Sequence, residues 1–228
     1  MKKLLLAACF VFFGLTEWAS AQYLEAAKGA WDAYKGYKAD QDGIRASQKI
    51  LNAVARAEAN ILGELTKLQE REVEVCTKAM LIDFPDFYKA SRQTQENFAR
   101  DYLTCIARGS VLVRDKDFST AEVVGKFFNV VVPIALTARE FIRFETRQII
   151  DLAIATNRDI IKKLEPECKS KSYPDIHREH YWKVWTCVAP DGRSVDGWKL
   201  GKSDYVNQLM KGTAYEIAEA SLKQLAGL

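Results

Sequence analysis

Cysteines that follow an apolar N-terminal segment constrain this 228-residue chain most strongly. Lys2 and Lys3 precede an apolar stretch from Leu4 to Leu15, and Ala19-Ser20-Ala21 then supplies small residues. A basic start, a short apolar run and a small-residue cleavage site form the layout of a secretory signal peptide, and such a run is too short for a permanent membrane anchor. We therefore expect residues 1–21 to be removed and the cysteines to fold in an oxidising compartment, the periplasm or the extracellular space.

Cys9 offers a second interpretation of the same segment. The stretch Leu6-Ala7-Ala8-Cys9 resembles a bacterial lipobox, whose cysteine carries the lipid. A lipobox cysteine ends the apolar run, whereas here the run continues as far as Phe13. We therefore favour cleavage after Ala21, and a lipoprotein anchored through Cys9 is the alternative.

The other four cysteines are Cys76, Cys105, Cys168 and Cys187, and they allow three pairings. The chain-entropy model gives short and long bridges stabilities within about 1 kcal/mol of each other, so entropy does not choose between the pairings. We favour Cys76 with Cys105 and Cys168 with Cys187, because each bridge would brace a local helix pair or hairpin. No Cys-x-x-Cys occurs in the chain, which argues against a redox role.

Helical spacing of apolar residues dominates the rest of the chain. The predicted helices run from Asp42 to Met80, from Gln95 to Ala107, from Ser119 to about Leu164 with a kink at Pro133, and from Ser203 to Leu225. The first of these would be about 60 Å long, which favours an elongated molecule. Its apolar pattern weakens through Glu70-Arg71-Glu72, and a bend or a partner contact there is the alternative to a straight helix. Ser119 and Glu122 form a capping-box pattern, and the residues just before them, Gly109 to Asp117, are predicted to be a loop or a brief strand.

One segment follows a different pattern. Tyr181 to Val188 and Val195 to Leu200 are rich in β-formers and flank a turn at Pro190-Asp191-Gly192. We therefore predict a mainly α fold, an elongated helical bundle of about four to five helices with a small β-hairpin inserted before the last helix. Residues 22–228 form one disulfide-braced domain in this interpretation, and residues 168–201 form the hairpin insertion.

Aromatic residues crowd the predicted hairpin at Tyr181, Trp182, Trp185 and Trp198. Strand alternation puts Trp182 on one face and Tyr181 and Trp185 on the other, and one small bundle cannot bury both faces. Large amphipathic rings of this kind anchor protein partners. We predict that these four residues bind a partner; the alternative is that they plug the end of the bundle.

The most apolar stretch after the leader runs from Val123 to Ala138. It would be either the central helix of the bundle or a membrane-inserting segment. It is shorter than the roughly 20 residues that span a bilayer, and Lys126 and Asn129 would be costly in lipid. We therefore favour the central helix.

Both histidines of the chain, His177 and His180, lie in one short segment at spacing i, i+3. A zinc site needs three or four ligands, and only these two are recognisable. They are weak metal candidates, and we predict neither a metal nor another cofactor.

Charge limits the classes of partner. The chain has 33 Lys and Arg against 30 Asp and Glu, well mixed along its length, which is not the pattern of a nucleic-acid-binding protein. We expect an exported, non-enzymatic helical module that binds another envelope or secreted protein. The alternatives are a membrane-active helical protein that uses Val123 to Ala138, and a hydrolase of a cell-wall or extracellular substrate.

Overall fold

A computed structural model describes residues 22–40, 42–67, 71–174 and 181–228. The helices in these ranges are α1 (22–40), α2 (Gly43–Lys67), α3 (Arg71–Asp83), α4 (Arg92–Asp115), α5 (Phe118–Phe141), α6 (Arg147–Leu164), α7 (Lys202–Met210) and α8 (Ala214–Leu225), with a 3₁₀ helix at Phe84–Lys89. The strands are β1 (Glu167–Pro174), β2 (Tyr181–Val188) and β3 (Ser194–Gly197). The prediction of a mainly α protein with a small β element is confirmed. The predicted signal peptide, residues 1–21, and the segment with His177 and His180 lie outside the described residues.

The centre of the fold is α5. Neighbouring helices α2, α4, α6 and α8 surround it, and all of its residues from Val124 to Arg139 are buried. Its polar residues find partners inside the protein: Asn129 Nδ2 donates to Gly125 O at 2.9 Å, and Lys126 Nζ lies 3.1 Å from Glu122 Oε1. The sequence from Val123 to Ala138 is apolar on nearly every side of the helix, and such a helix is stable in water only when its neighbours bury it.

The N-terminal helix α1 was not predicted. Its buried face consists of small and aromatic residues, and two hydrogen bonds join it to the body of the fold. Trp31 Nε1 donates to Ser221 Oγ of α8 at 3.3 Å, and Tyr34 Oη donates to Glu140 Oε1 of α5 at 2.6 Å. Helix α1 therefore belongs to the same packed core as α5 and α8.

The prediction of one helix from Asp42 to Met80 is wrong. The chain forms α2 and α3 instead, and Gly43 at the start of α2 lies against Tyr88 of the 3₁₀ helix that follows α3. A straight helix would separate these two ends by about 60 Å. The chain therefore folds back on itself, and α2, the longest helix within the described ranges, has 25 residues and a length of about 37 Å.

The middle of the chain also differs from the prediction. Residues 109–115 are the end of α4 and not a loop or strand. The N-cap of α5 is Asp117, whose Oδ1 accepts from the backbone N–H of Thr120 at 2.9 Å, so Ser119 and Glu122 do not form the predicted capping box. Glu122 instead accepts from the N–H of Ala214, 3.0 Å away at the start of α8. This contact ties the beginnings of two core helices together.

Two predicted helices are each divided in two. Pro133 lies inside α5, which continues past it to Phe141, and α6 begins only at Arg147. Arg143 in the connection has a φ of 58°, a left-handed conformation that no helix accommodates. The last predicted helix is likewise broken between α7 and α8, where Gly212 has a φ of 75°.

The three strands form one antiparallel sheet in the order β1-β2-β3. The predicted second strand is shorter than expected, and β1 was not predicted at all. Cys168 on β1 lies directly opposite Cys187 on β2 and forms a disulfide with it. The second disulfide, between Cys76 and Cys105, joins α3 to α4 with the Cα atoms 5.6 Å apart. Both favoured cysteine pairings are therefore present.

Candidate functional site

Three large aromatic side chains are exposed together on one face of the sheet. Tyr173 of β1 is 44% exposed, Trp182 of β2 is 45% exposed, and Trp198, which follows β3, is 51% exposed. The indole rings of Trp182 and Trp198 meet edge to face, with centroids 4.7 Å apart and planes at 80°. We call Tyr173, Trp182 and Trp198 the aromatic face.

The strand register explains why these residues meet. Tyr173 lies directly opposite Trp182 in the β1–β2 pair, so their side chains leave the sheet on the same side. Trp185 is three residues beyond Trp182 and points to the other side, where it is half-buried against the core. The side chain of Tyr181 lies outside the described set. The structure therefore brings two of the four predicted aromatic residues together on the surface and places Trp185 elsewhere.

Helix α7 holds Trp198 in position through Tyr205. The backbone N–H of Leu200 donates to Tyr205 Oη at 3.3 Å, which fastens the segment that follows β3. Gly197 lies so close to this hydroxyl that a Cβ atom there would collide with it. A residue with a side chain at position 197 would therefore push the segment off α7 and displace Trp198.

Lysines accompany the aromatic rings. Lys171 Nζ lies 5.3 Å from the ring centroid of Tyr173, and Lys199 Nζ lies 5.8 Å from that of Trp198. On the opposite side of the sheet, Lys183 Nζ lies 4.9 Å from the ring of Trp185. Separations below about 6 Å allow cation–π attraction, which keeps each ammonium group beside its ring.

Most of the β1–β2 hairpin extends away from the helices. We call residues 168–174 and 181–187 the hairpin arm. Among the described elements, β1 has β2 as its only substantial neighbour, and residues 169–174 are exposed on both faces. An isolated two-stranded ribbon is only marginally stable in water. The disulfide between Cys168 and Cys187 and the packing of α7 against β2 and β3 therefore stabilise the arm. Nothing within the described chain covers the aromatic face.

Sequence reasoning missed Tyr173 of the aromatic face and Lys171, which lies beside it. The strand that carries them reads Lys-Ser-Lys-Ser-Tyr, which lacks the alternation of apolar residues used to recognise strands. The cysteine pairing was a usable signal, because a bridge from Cys168 to Cys187 requires a segment that returns beside β2.

The membrane-inserting alternative concerns α5. Among the described helices, α5 alone is long and apolar enough to cross a bilayer, and 89% of its most apolar window is buried inside the protein. The core helix of a soluble protein meets the same criterion. The burial agrees with the favoured interpretation of Val123 to Ala138 as a central helix.

Within the described ranges, no group of three or more His, Cys, Asp or Glu side chains is arranged to hold a metal ion. The two disulfides are consistent with an oxidising, exported environment. The chain matches no protein-family model, and neither curated proteins nor solved structures gave a significant match. Arguments about function therefore rest on the surface itself.

Proposed function

We propose that this protein is an exported, non-enzymatic binding module whose aromatic face contacts another envelope or extracellular protein. The observation that carries the proposal is the joint exposure of Tyr173, Trp182 and Trp198 on one side of the hairpin arm. Exposed tryptophan and tyrosine rings in a cluster are the side chains that contribute most to protein–protein binding when a partner buries them.

The arm also has the shape of a contact element. Its outer strand β1 leaves backbone groups and both side-chain faces in solvent beyond Cys168. Lysines on an edge strand discourage pairing with arbitrary other strands. This combination favours a specific partner that recognises side chains over one that adds a strand to the edge.

The charge of the arm supports an acidic partner surface. Its described residues include Lys169, Lys171 and Lys183 and no Asp or Glu. Basic residues still outnumber acidic ones when Asp175, Arg178 and Glu179 of the connecting segment are included. Complementary charge steers association and makes it sensitive to salt.

Export is part of the proposal. A signal peptide cleaved after Ala21 would deliver the chain to the periplasm or the extracellular space, with anchoring through Cys9 as the alternative. Both disulfides support this location, since cytosolic proteins are kept reduced. Membrane contact is not favoured, because α5, the helix on which that alternative depends, is covered by its neighbours. Hydrolase activity is the other alternative, and we assign no residue of the aromatic face to it.

The test is quantitative co-purification from the native envelope or secretion medium after light crosslinking. Wild-type protein is expected to retain one stoichiometric, acidic protein. The double substitution Trp182→Ala and Trp198→Ala is expected to lose it, and so is Lys171→Glu with Lys199→Glu. Phe118→Ala is the matched control, because Phe118 is 41% exposed but lies at the start of α5. Equal recovery with the double tryptophan variant would refute the proposal.

A further inference from the structure

Basic side chains share one side of the sheet with the aromatic face. Side chains alternate between the two sides of a strand, so Lys169 and Lys171 of β1 leave the sheet on the same side as Tyr173. Thr186 of β2 lies directly opposite Lys169 and leaves on that side too. All four residues are exposed. The hairpin arm therefore presents aromatic rings and ammonium groups to the same partner surface.

Charge changes sign along this side of the sheet. Its carboxylates lie at the end away from the rings: Glu167 begins β1 directly after α6, and Asp196 of β3 lies across Thr186. The charged groups beside the rings are Lys171 and Lys199, and neither forms an ion pair with a described residue. The part of the sheet that carries the aromatic face is therefore positive, and its complement is negative.

Most polar groups around the rings are hydrogen-bond donors. The indole N–H groups of Trp182 and Trp198 donate and cannot accept, and the same holds for the ammonium groups of Lys171 and Lys199. Neither indole N–H has an acceptor among the described residues. Only the hydroxyl of Tyr173 can both donate and accept. A ligand that satisfies this surface must therefore offer acceptors and negative charge, and it must have few donors of its own.

The shape of the surface suits a slender ligand. The rings of Trp182 and Trp198 stand at 80° to each other with centroids 4.7 Å apart, so they form a corner. Tyr173 lies directly across from Trp182 and extends the apolar surface over β1. An α-helix with its side chains is about 10 Å wide, as wide as two paired strands, so the arm has no groove to receive one. An extended segment matches the corner better.

Proline combines the properties that this surface requires. Its tertiary amide has a carbonyl acceptor and no N–H, and its ring is apolar. A proline-rich segment already has the extended polyproline II conformation, which has no internal hydrogen bonds and loses little entropy when it docks against aromatic rings. Sugars have hydroxyl groups that also donate, and the rings are surrounded by few acceptors for them.

We propose that the aromatic face binds an acidic, proline-rich segment of another exported protein in the polyproline II conformation. Proline rings pack in the corner between Trp182 and Trp198 and against Tyr173. The two indole N–H groups donate to carbonyl oxygens of the segment, and Lys171 and Lys199 pair with its carboxylates. This inference rests on the function proposed above and adds the chemistry of the partner.

The test is an NMR titration of the purified, disulfide-bonded protein at pH 7 and constant ionic strength. The indole N–H resonances of Trp182 and Trp198 are followed, and the probe is a peptide of three Asp-Pro-Pro repeats. We expect saturable shifts of both resonances. Asp-Gly-Gly repeats keep the charge without the prolines, and Lys-Pro-Pro repeats keep the prolines with the opposite charge. Each of these two peptides should bind at least tenfold more weakly.

Variants of the protein locate the binding site. Trp182→Ala and Trp198→Ala should each weaken Asp-Pro-Pro binding at least tenfold, and Lys171→Gln with Lys199→Gln should weaken it several-fold and reduce its salt dependence. Trp198→Phe keeps a ring and removes the indole N–H, so it should cause a few-fold loss without disturbing the arm. Trp185→Phe is the matched control, because Trp185 lies on the other side of the sheet and packs on the core.

The contrary outcomes separate this inference from the function on which it rests. Equal affinity for Asp-Gly-Gly repeats would indicate recognition of charge alone, and saturation by polygalacturonate without binding of the peptide would indicate an anionic glycan; either result overturns the inference. If no peptide binds while the double tryptophan variant still loses its crosslinked partner, the inference is wrong and the proposed function stands. Retention of the native partner by that variant would refute the proposed function itself.

Discussion

Helix α5 and the hairpin arm are both rich in large apolar side chains, and both carry lysine, yet they have opposite environments. Four helices contact α5 on every side, and Glu122 Oε1 forms an ion pair with Lys126 Nζ at 3.1 Å. Among the described elements around the arm, β1 has no substantial neighbour besides β2, and Lys171 lies beside the exposed ring of Tyr173. Apolar composition alone therefore does not indicate function here. What matters is whether other parts of the same chain bury these apolar side chains.

The largest expected effect comes from a charge placed in α5. Val131 is 1% exposed, and Val131→Asp would bury a carboxylate that has no partner. We expect a loss of about 4 kcal/mol or more in the free energy of unfolding, because a buried unpaired charge keeps its full desolvation cost. Urea denaturation followed by circular dichroism measures this. A folded, stable Val131→Asp protein would contradict the assignment of α5 as the core helix.

The two disulfides offer the next contrast. Replacing Cys76 and Cys105 by serine opens a 29-residue loop and should cost about 3 to 4 kcal/mol in the chain-entropy model. Replacing Cys168 and Cys187 should mainly release the arm, because few contacts hold β1 otherwise. Hydrogen exchange separates the outcomes: the first variant loses protection in α4 and α5, and the second loses it in β1. Equal loss in α5 from both variants would show that the arm is part of the core.

Substitutions on the aromatic face should separate binding from stability. Trp182→Ala or Trp198→Ala is expected to weaken partner binding by about 2 kcal/mol, roughly 30-fold, as buried tryptophan anchors do. The same changes should alter the free energy of unfolding by no more than about 1 kcal/mol, since both rings are about half exposed. Trp185→Ala is the comparison, because Trp185 packs on the core and should destabilise the fold more than it weakens binding.

These contrasts also mark what the sequence could predict. The cysteine pairing, the bounds of β2 and the burial of α5 follow from local patterns that the rest of the fold respects. The break between α2 and α3 could be predicted only in part, because the apolar pattern weakens through Glu70-Arg71-Glu72 but no proline or glycine between Leu65 and Glu72 marks the end of a helix. Helix α1 was missed since alanines form much of its buried face, and small residues give a weak periodic signal.

The aromatic face was predictable only in part. Alternation along β2 correctly separates Trp182 from Trp185, but it does not say which side the helices cover. That depends on α7 packing beneath the sheet, a tertiary contact with no local sequence signal. Tyr173 enters the face only through its register opposite Trp182.

A substitution at Glu122 tests how much its contacts within α5 and with the start of α8 stabilise the core. Its two carboxylate oxygens contact Lys126 Nζ and the N–H of Ala214. Glu122→Gln would leave Lys126 charged and mostly buried beside the ring of Tyr23, so we expect a loss of about 1 to 2 kcal/mol. Thermal unfolding with Glu96→Gln as the control checks this, because Glu96 pairs with Arg92 nearer the surface. An unchanged melting temperature would mean that the contact contributes little.

The smallest expected effect has the opposite sign. Because burial and Asp101 raise the pKa of Asp83, ionisation of Asp83 is penalised in the folded state. The fold therefore loses stability as the pH rises through this raised pKa, and Asp83→Asn removes the penalty at pH 7. We expect a gain of about 0.5 kcal/mol, the size of a like-charge pair at a partly exposed site. Urea midpoints of both proteins should converge below pH 4, and a destabilised variant at pH 7 would contradict this account.

The most direct measurement is site-specific photocrosslinking in the cells that export the protein. A photoreactive amino acid replaces Thr186, which is exposed on the side of Trp182, or Val75, which is exposed on α3. We predict one discrete crosslinked protein from position 186 and none of that size from position 75. The absence of a crosslink from position 186, or the same products from both positions, would contradict the claim that the aromatic face is the surface a partner covers.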